Sequence, residues 1–456
     1  MLRVRPAADD GPPPQNWLLP PMIKPAHGSH EADQLTALSS RPQAATRGDR
    51  DGSVVTEPTC ECAGGASDRL HSDGGRCKQG SVTAPEPPLP ASERENVVAE
   101  FAVSLVMPTV SWTGAFSACG RRVLELLDKA STPAEFIVVF DGPAPATPKW
   151  LDRPNVRILS TGRRAGPARA RNLAAQSARG HALFFVDSDV EIAEHAIEHV
   201  AAAFASDPDL SAIFGAYDDE PAAEGVVSQF RNLLHHHTHV AHPGEAGTFW
   251  SGCGAIRAAV FADVGGFDEN YAFPSVEDIE LGMRIATQGG RILLDPDLRC
   301  KHLKQWTFPG MVVADVFHRA RPWTHLIMES QQLPATLNID WKGRISGVLS
   351  LVMAASLLLI LFVPAARWLT LAAAVGLVAM NFGFYSLCLR KRGLRFAASS
   401  FALHSLYFLY STITFAVVVL LEFFGWAQRP NACHLPSPIA ADHELTNVAM
   451  TPHTAR

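Results

Sequence analysis

Two carboxylates one residue apart, Asp187 and Asp189, follow directly on the apolar run His181-Ala182-Leu183-Phe184-Phe185-Val186. A run of that length, bounded by Gly180 and by charge, reads as a buried strand whose last side chains emerge at the carboxyl edge of a sheet. Open α/β sheets bind ligands at that edge. Carboxylates at i and i+2 in a strand-end turn can both offer oxygens to one hard divalent cation, and such ions commonly bridge to substrate phosphates. The plainer alternative is that Asp189 caps a helix beginning near Ala193.

Other residues could share that rim. Phe136-Ile137-Val138-Val139-Phe140 ends at Asp141-Gly142, so Asp141 stands at the end of a second strand, where aspartate is also common for turn reasons alone. In Thr248-Phe249-Trp250-Ser251-Gly252-Cys253-Gly254, Gly252 and Gly254 would let backbone approach a bound ligand closely. Glu277 and Asp278 open a helix that runs to Gly289-Gly290. Ser275, three residues before Asp278, makes a sequence resembling a capping box, and a carboxylate can cap a helix and also face a cleft. Within His235-His236-His237-Thr238-His239 only pairs such as His235 and His239 share a helix face. Without the adjacent acid of a zinc-binding helix, the run reads as a polar face near the domain surface.

The surrounding pattern supplies the elements that hold these groups. Strands are expected at 103–107, 136–140, 156–159, 181–186, 211–216 and 291–294, with helices at 121–129, 167–178, about 193–205 and from 277. Such alternation is α/β, a mostly parallel sheet with right-handed crossovers. The 456 residues leave room for two or three units. Residues 1–97 are rich in Pro, Gly, Ser, Ala and charge and read as a disordered leader. They hold no apolar stretch of signal-peptide length, so the domain that follows is expected to stay in the cytoplasm. Cys60, Cys62 and Cys77 are expected there as unligated thiols, and the scattered Cys119, Cys253, Cys300, Cys388 and Cys433 fit a reducing compartment. A net charge of -6 argues against nucleic acid as a partner.

From 345 the composition turns to that of an all-α transmembrane segment. Spans at about 345–366, 368–389 and 397–425 are each long enough for a hydrocarbon core of roughly 30 Å. The cluster Arg390-Lys391-Arg392-Gly393-Leu394-Arg395 between the second and third belongs in the cytoplasm. Two spans earlier, the same orientation places the α/β domain in the cytoplasm too. The chain is then a multi-pass cell (inner) membrane protein whose flexible tail, 427–456, is left outside. Residues 309–344 read as an amphipathic interfacial connector, and Lys301, Lys304, Trp306, Arg319, Arg321, Trp323 and Trp341 as a collar on an anionic leaflet.

Taken in order, the strand ending at Asp141, Ala170-Arg171-Asn172, Asp187-Ser188-Asp189, Gly265-Gly266-Phe267-Asp268 and Glu277-Asp278 resemble the family 2 glycosyltransferases, with their Rossmann-like GT-A nucleotide-sugar-binding fold. The resemblance covers about 102–323 and implies a GT-A domain over 98–308. It implies that Asp141 contacts the nucleotide base, Asp187 lies by the ribose and metal, and Asp189 ligates a divalent ion on the diphosphate. Asp278 would be the general base, with Glu277 the next candidate, and His302 would stand near the metal. Asn172 and Gly252 join the donor site. Arg171 is either an extra cation near the diphosphate or an ion-pair residue holding its helix. Two departures stand out: Phe140 precedes Asp141 where many members carry a paired Asp-Asp, and Phe317-His318-Arg319-Ala320-Arg321-Pro322-Trp323 replaces the Gln-x-x-Arg-Trp of processive members.

The implied reaction is inverting transfer. Magnesium or manganese offsets charge growing on the leaving nucleoside diphosphate while Asp278 takes the proton from an acceptor hydroxyl attacking the anomeric carbon. The implied partners are a nucleotide-diphosphate sugar, membrane lipids and, by topological analogy, a lipid-linked or exported glycan acceptor in polysaccharide biosynthesis. Two other classes could use the same residues. One is a metal-dependent phosphohydrolase or nucleotidyltransferase; the other is a membrane protein that binds nucleotide sugar without turnover.

Overall fold

The computed structural model describes residues 101–330 and 340–426. The expected leader and tail, with Cys60, Cys62, Cys77 and Cys433, lie outside the described residues. The chain runs β1 (Phe101–Thr109), α1 (Gly114–Lys129), β2 (Ala134–Phe140), β3 (Val156–Ser160), α2 (Pro167–Ser177), β4 (Gly180–Val186), β5 (Val190–Ile192) and α3 (Ala196–Ser206). It continues through β6 (Leu210–Tyr217), α4 (Val226–Val240), β7 (Gly244–Ala246), β8 (Cys253–Arg257), α5 (Ala258–Asp263), α6 (Glu277–Thr287) and β9 (Arg291–His302).

These strands form one sheet in the order β3-β2-β1-β4-β8-β6-β9-β5, with β7 added on β9. The pairs β1–β2, β1–β4, β2–β3 and β6–β9 are parallel. Because β8 runs against both β4 and β6, those two also point the same way. Six strands therefore share a direction and only β5, β7 and β8 oppose it, which is the mostly parallel sheet expected. Period-two alternation sorts the side chains. Leu105, Phe136, Val138 and Phe184 pack with Phe116 and Val123 of α1 and Ile197 of α3, whereas Val106, Ile137, Val139 and Phe185 pack with Ala170 and Ala174 of α2 and Leu281 of α6. Strands apolar on both faces suit a sheet covered on both.

Two local expectations fail here. The last strand does not stop at Leu294. Asp295-Pro296-Asp297 forms a bulge, after which Arg299 and Cys300 pair with Ala216 and Tyr217 and His302 pairs with Val190. A proline has no N–H for the ladder, so it interrupts a strand without ending it. Gly215 makes this possible, since a Cβ there would strike the carbonyl of Leu298. Nor does Asp189 cap a helix, for it leads into β5, and α3 begins only at Ala196 behind His195.

Beyond the sheet come α7 (Phe308–Asp315), a π-helical turn (Val316–Ala320), α8 (Arg321–Ser330), α9 (Trp341–Leu359), α10 (Ala366–Met380) and α11 (Phe382–Phe423). Of these, α9 and α11 are long and apolar enough to cross a membrane, and α10 is a shorter apolar helix. The continuous span expected at 368–389 is divided at Asn381, whose side-chain amide donates to Leu377 O (2.9 Å) and Ser346 Oγ (2.9 Å) and so ends α10 beside the start of α9. A second break falls at Gly393, with φ 80° and ψ 179°, a backbone shape that L side chains rarely adopt. It separates 382–392 from 394–423. The first of these pieces packs Phe384, Tyr385, Leu387 and Cys388 against Phe230, Leu233 and Leu234 of α4 and Met311 of α7. Burying each such aromatic or aliphatic side chain stabilises by about 1.5–3 kcal/mol, so this helix is fastened to the α/β domain.

Candidate active site

Asp187 and Asp189 emerge at the end of β4, in the turn to β5. The Asp187 N–H donates to Gly252 O (3.2 Å), which ties this turn to the segment before β8. One Asp187 oxygen accepts from Arg171 (2.8 Å), whose other nitrogen donates to Glu277 (3.0 Å). Arg171 is buried, yet the surrounding carboxylates outweigh the desolvation and hold it charged. It makes ion pairs that clamp β4 to the start of α6, and it also lines the cavity described below. The Asp189 carboxylate stands 3.7 Å from His302 Nε2, because Val190 and His302 are ladder partners. Burial raises the pKa of Asp189, but His302 and Lys304 outweigh it and hold the group below the usual carboxylate value. Among the described residues no three His, Cys, Asp or Glu side chains close into a cage for a metal. The donor set at the rim is carboxylate and imidazole, facing a cavity from which further oxygens could come.

The two acids that open α6 have different surroundings. Glu277 has both oxygens engaged, by Arg171 and by the Ser275 N–H (2.7 Å). The expected capping box does not form: the residue before the helix, Val276, contributes no side-chain cap. Asp278 instead accepts from Ser251 N (3.1 Å) and Oγ (3.4 Å), and its other oxygen from the Ile279 N–H (2.8 Å). Its carboxyl is pushed up to about 7 by burial and by the neighbouring Glu277 charge.

Other expected site residues take positioning parts. Asp141 sits at the end of β2 as foreseen, but it accepts from Thr161 Oγ1 (3.1 Å) and the N–H groups of Ala165 (2.8 Å) and Gly166 (3.1 Å), which fixes the loop into α2. Asn172 is buried and bonds both the N–H and the carbonyl of Phe267 (2.9 Å each), holding the Gly265–Asp268 turn. Gly252 and Gly254 do make room, but for protein. A Cβ on Gly252 would lie 2.5 Å from the Trp250 ring, and one on Gly254 would strike the Trp250 carbonyl. Nor do the histidines form a surface face. The His235 and His239 rings meet tilted with centroids 3.9 Å apart, His235 lies 4.2 Å from the Tyr217 ring, and Tyr217 stacks on His302 at 4.6 Å. This column runs inward to the Asp189 partner. His239 is fixed by donating Nδ1–H to Gly215 O (2.8 Å), while burial keeps His235 neutral with its Nδ1 unpaired.

Most of these groups, though not Asn172, Gly252 or Gly254, line one cavity of about 1450 Å³. Pro108 and Thr109 of β1, Asp141 after β2 and Arg164 line it, as do Asp187, Asp189, Asp278 and His302. Trp306 also lines it, with Asp315, Arg319 and Trp323 of the connector, Arg344 of α9 and Phe408 and Phe415 of α11. Ordinary small-molecule pockets run to roughly 300–1,000 Å³, so this volume suits two reactants. Ser251, Trp250 and Tyr217 were not singled out in the sequence as site residues. Only the short Trp250-Ser251 step before a glycine pair marked their neighbourhood.

Residues 105–265 match the family model described as glycosyl transferase family 2. Among curated proteins, the chain is 25% identical over 197 residues to an inactive polypeptide N-acetylgalactosaminyltransferase-like protein 5 from Macaca fascicularis, covering 39% of this chain and 44% of that one. It is 27% identical over 166 residues to a putative inactive polypeptide N-acetylgalactosaminyltransferase 12 from Drosophila melanogaster, covering 33% of this chain and 30% of that one. The chain thus spans less than half the length of these relatives. Among solved structures, a mannosyltransferase from Pyrobaculum calidifontis in complex with GDP-Man and Mn2+ aligns with a TM-score of 0.42 at 16% identity, over 72% of this chain and 88% of that one.

Proposed function

We propose, with the glycosyl transferase family 2 match of residues 105–265 as premise, that this protein transfers a sugar from a nucleotide-diphosphate donor to an acceptor hydroxyl with inversion. The observation that carries the reading is a half-buried carboxylate, Asp278, pushed up to about 7, which suits a general base, and lining the same cavity as Asp187 and Asp189. The nucleoside would lie by Pro108, Thr109 and Asp141, its diphosphate over Asp187 and Asp189. Asp189 and His302, with the second oxygen of Asp187, are the groups that would hold a divalent ion beside the diphosphate. When bound, that ion would offset the charge growing on the leaving group. Asp278, oriented by Ser251, takes the acceptor proton on the side facing α6. Glu277 is less suited to this, since its charge is paired directly with Arg171 (3.0 Å).

The membrane reading places the cavity at the cytoplasmic surface, where nucleotide sugars are found. Lys391 pairs with Asp219 and Arg392 donates to Gln229 (2.8 Å), so the basic cluster and the α/β domain lie on one side. An acceptor carried by a lipid suits a cavity partly lined by α9 and α11. The test is a panel of labelled nucleotide sugars with membrane extract as acceptor source. Label moving to an acceptor supports transfer; label released to water indicates a hydrolase. Retention of unreacted donor would favour binding without turnover, a reading that the names of the two curated relatives keep in view.

A further inference from the structure

We infer that the long helix 394–423 does not cross the membrane but lies along its cytoplasmic surface, with one face on the α/β domain and its connector and the other in the lipid leaflet. This rests on the proposed cytoplasmic orientation and on reading α9 and the shorter α10, 15 residues and about 22 Å long, as a hairpin inserted from that side with its 360–365 turn toward the far interface. At 1.5 Å per residue, Arg395 and Glu422 are about 40 Å apart, more than the roughly 30 Å of a hydrocarbon core. A crossing helix held to the cytoplasmic domain at its first turn would therefore deliver Glu422 to the opposite surface. The contacts say otherwise. At the near end Phe396 packs in the cluster with Phe230 of α4. In the middle Tyr410 donates to Asp315 (2.6 Å), which also pairs with Arg231 of α4 (2.9 Å). At the far end Glu422 pairs with His325 of α8 (2.7 Å), and the next residue, Leu326, packs on Tyr271, Val276 and Met283 of the α/β domain.

The inward residues fall on one stripe. Phe396, Ser400, His404, Phe408, Val418 and Glu422 recur at helical spacing and are buried, and much of the stripe is polar, as suits protein and not lipid. On the other side Leu406, Ile413, Val417, Leu420 and Leu421 are exposed. The occupant of that face is the membrane, because the helix adjoins the apolar hairpin where Thr412 fills the space beside Gly347 of α9, and because Arg390, Lys391, Arg392 and Arg395 gather at its start.

The experiment uses the full chain in its membrane. A topology reporter after Arg456 should behave as cytoplasmic and one inserted in the 360–365 turn as external; an external reporter after Arg456 would overturn the inference. A cytoplasmic reporter in the turn would overturn it as well, by removing the hairpin, and would leave the sugar-transfer assay untouched. A photoreactive benzophenone residue in place of Ile413 separates the remaining rivals. Adducts to phospholipid support the in-plane helix, whereas adducts to a soluble protein or to a second copy of the chain exclude it.

Discussion

Asp278 and Glu277 are adjacent acids in one turn, and their fates differ because one is neutralised by Arg171 and the other is not. Since the active form of a base is the carboxylate, transfer should rise with pH through about 7 and level off above it. Asp278→Asn should remove that limb and lower the rate about 10²- to 10⁴-fold while nucleotide affinity is kept. Near wild-type turnover in this variant would exclude Asp278 from the chemistry. Asp189→Ala should lower turnover at least about 100-fold, as should chelation until magnesium or manganese is restored, because metal charge stabilisation is worth several kcal/mol; activity unaffected by chelator would refute this. Arg171→Met would leave the Glu277 charge buried and unpaired, a loss of about 3–5 kcal/mol readable as a lowered Tm. The acids themselves were legible in the sequence, each at a strand end or helix start. What could not be read was which oxygens are already occupied: that depends on Arg171 reaching a residue 106 positions away.

Elements were legible where a period repeats and illegible where a single residue overrides it. The strands at 136–140 and 181–186 stand nearly as the apolar runs require. The run at 291–294, in contrast, looked finished because Asp295-Pro296-Asp297 carries every mark of a turn. Only the partner strands, β5 and β6, recover the pairing that brings His302 to Asp189. Gly215 is the hinge of that recovery. Gly215→Ala should cost about 1–3 kcal/mol as an overpacking change, because backbone cannot yield as a side chain can. A Tm equal to wild type would show that the bulge tolerates the methyl. Asn381 and Gly393 act likewise on the apolar segment, where hydropathy registers length but not a capping amide or a positive φ.

On the scale of the whole molecule, the connector, α9 and α11 take part in the candidate site, since Arg344, Phe408 and Phe415 border the same cavity as the carboxylates. For the proposed transfer to a lipid-carried acceptor, that shared wall would set which concentration the reaction obeys. A donor arriving from water would be counted per litre, but an acceptor entering past α9 and α11 would be counted per area of leaflet. Diluting the acceptor with inert lipid at fixed bulk amounts should therefore slow transfer in proportion to its mole fraction in the surface, while adding more vesicles of unchanged composition should leave the rate per enzyme unchanged. A rate that followed bulk acceptor alone would mean that the acceptor comes through the open, aqueous side. If it follows the surface fraction, the bilayer serves as a two-dimensional solvent, and changes in leaflet composition would throttle the enzyme with no effector bound to it.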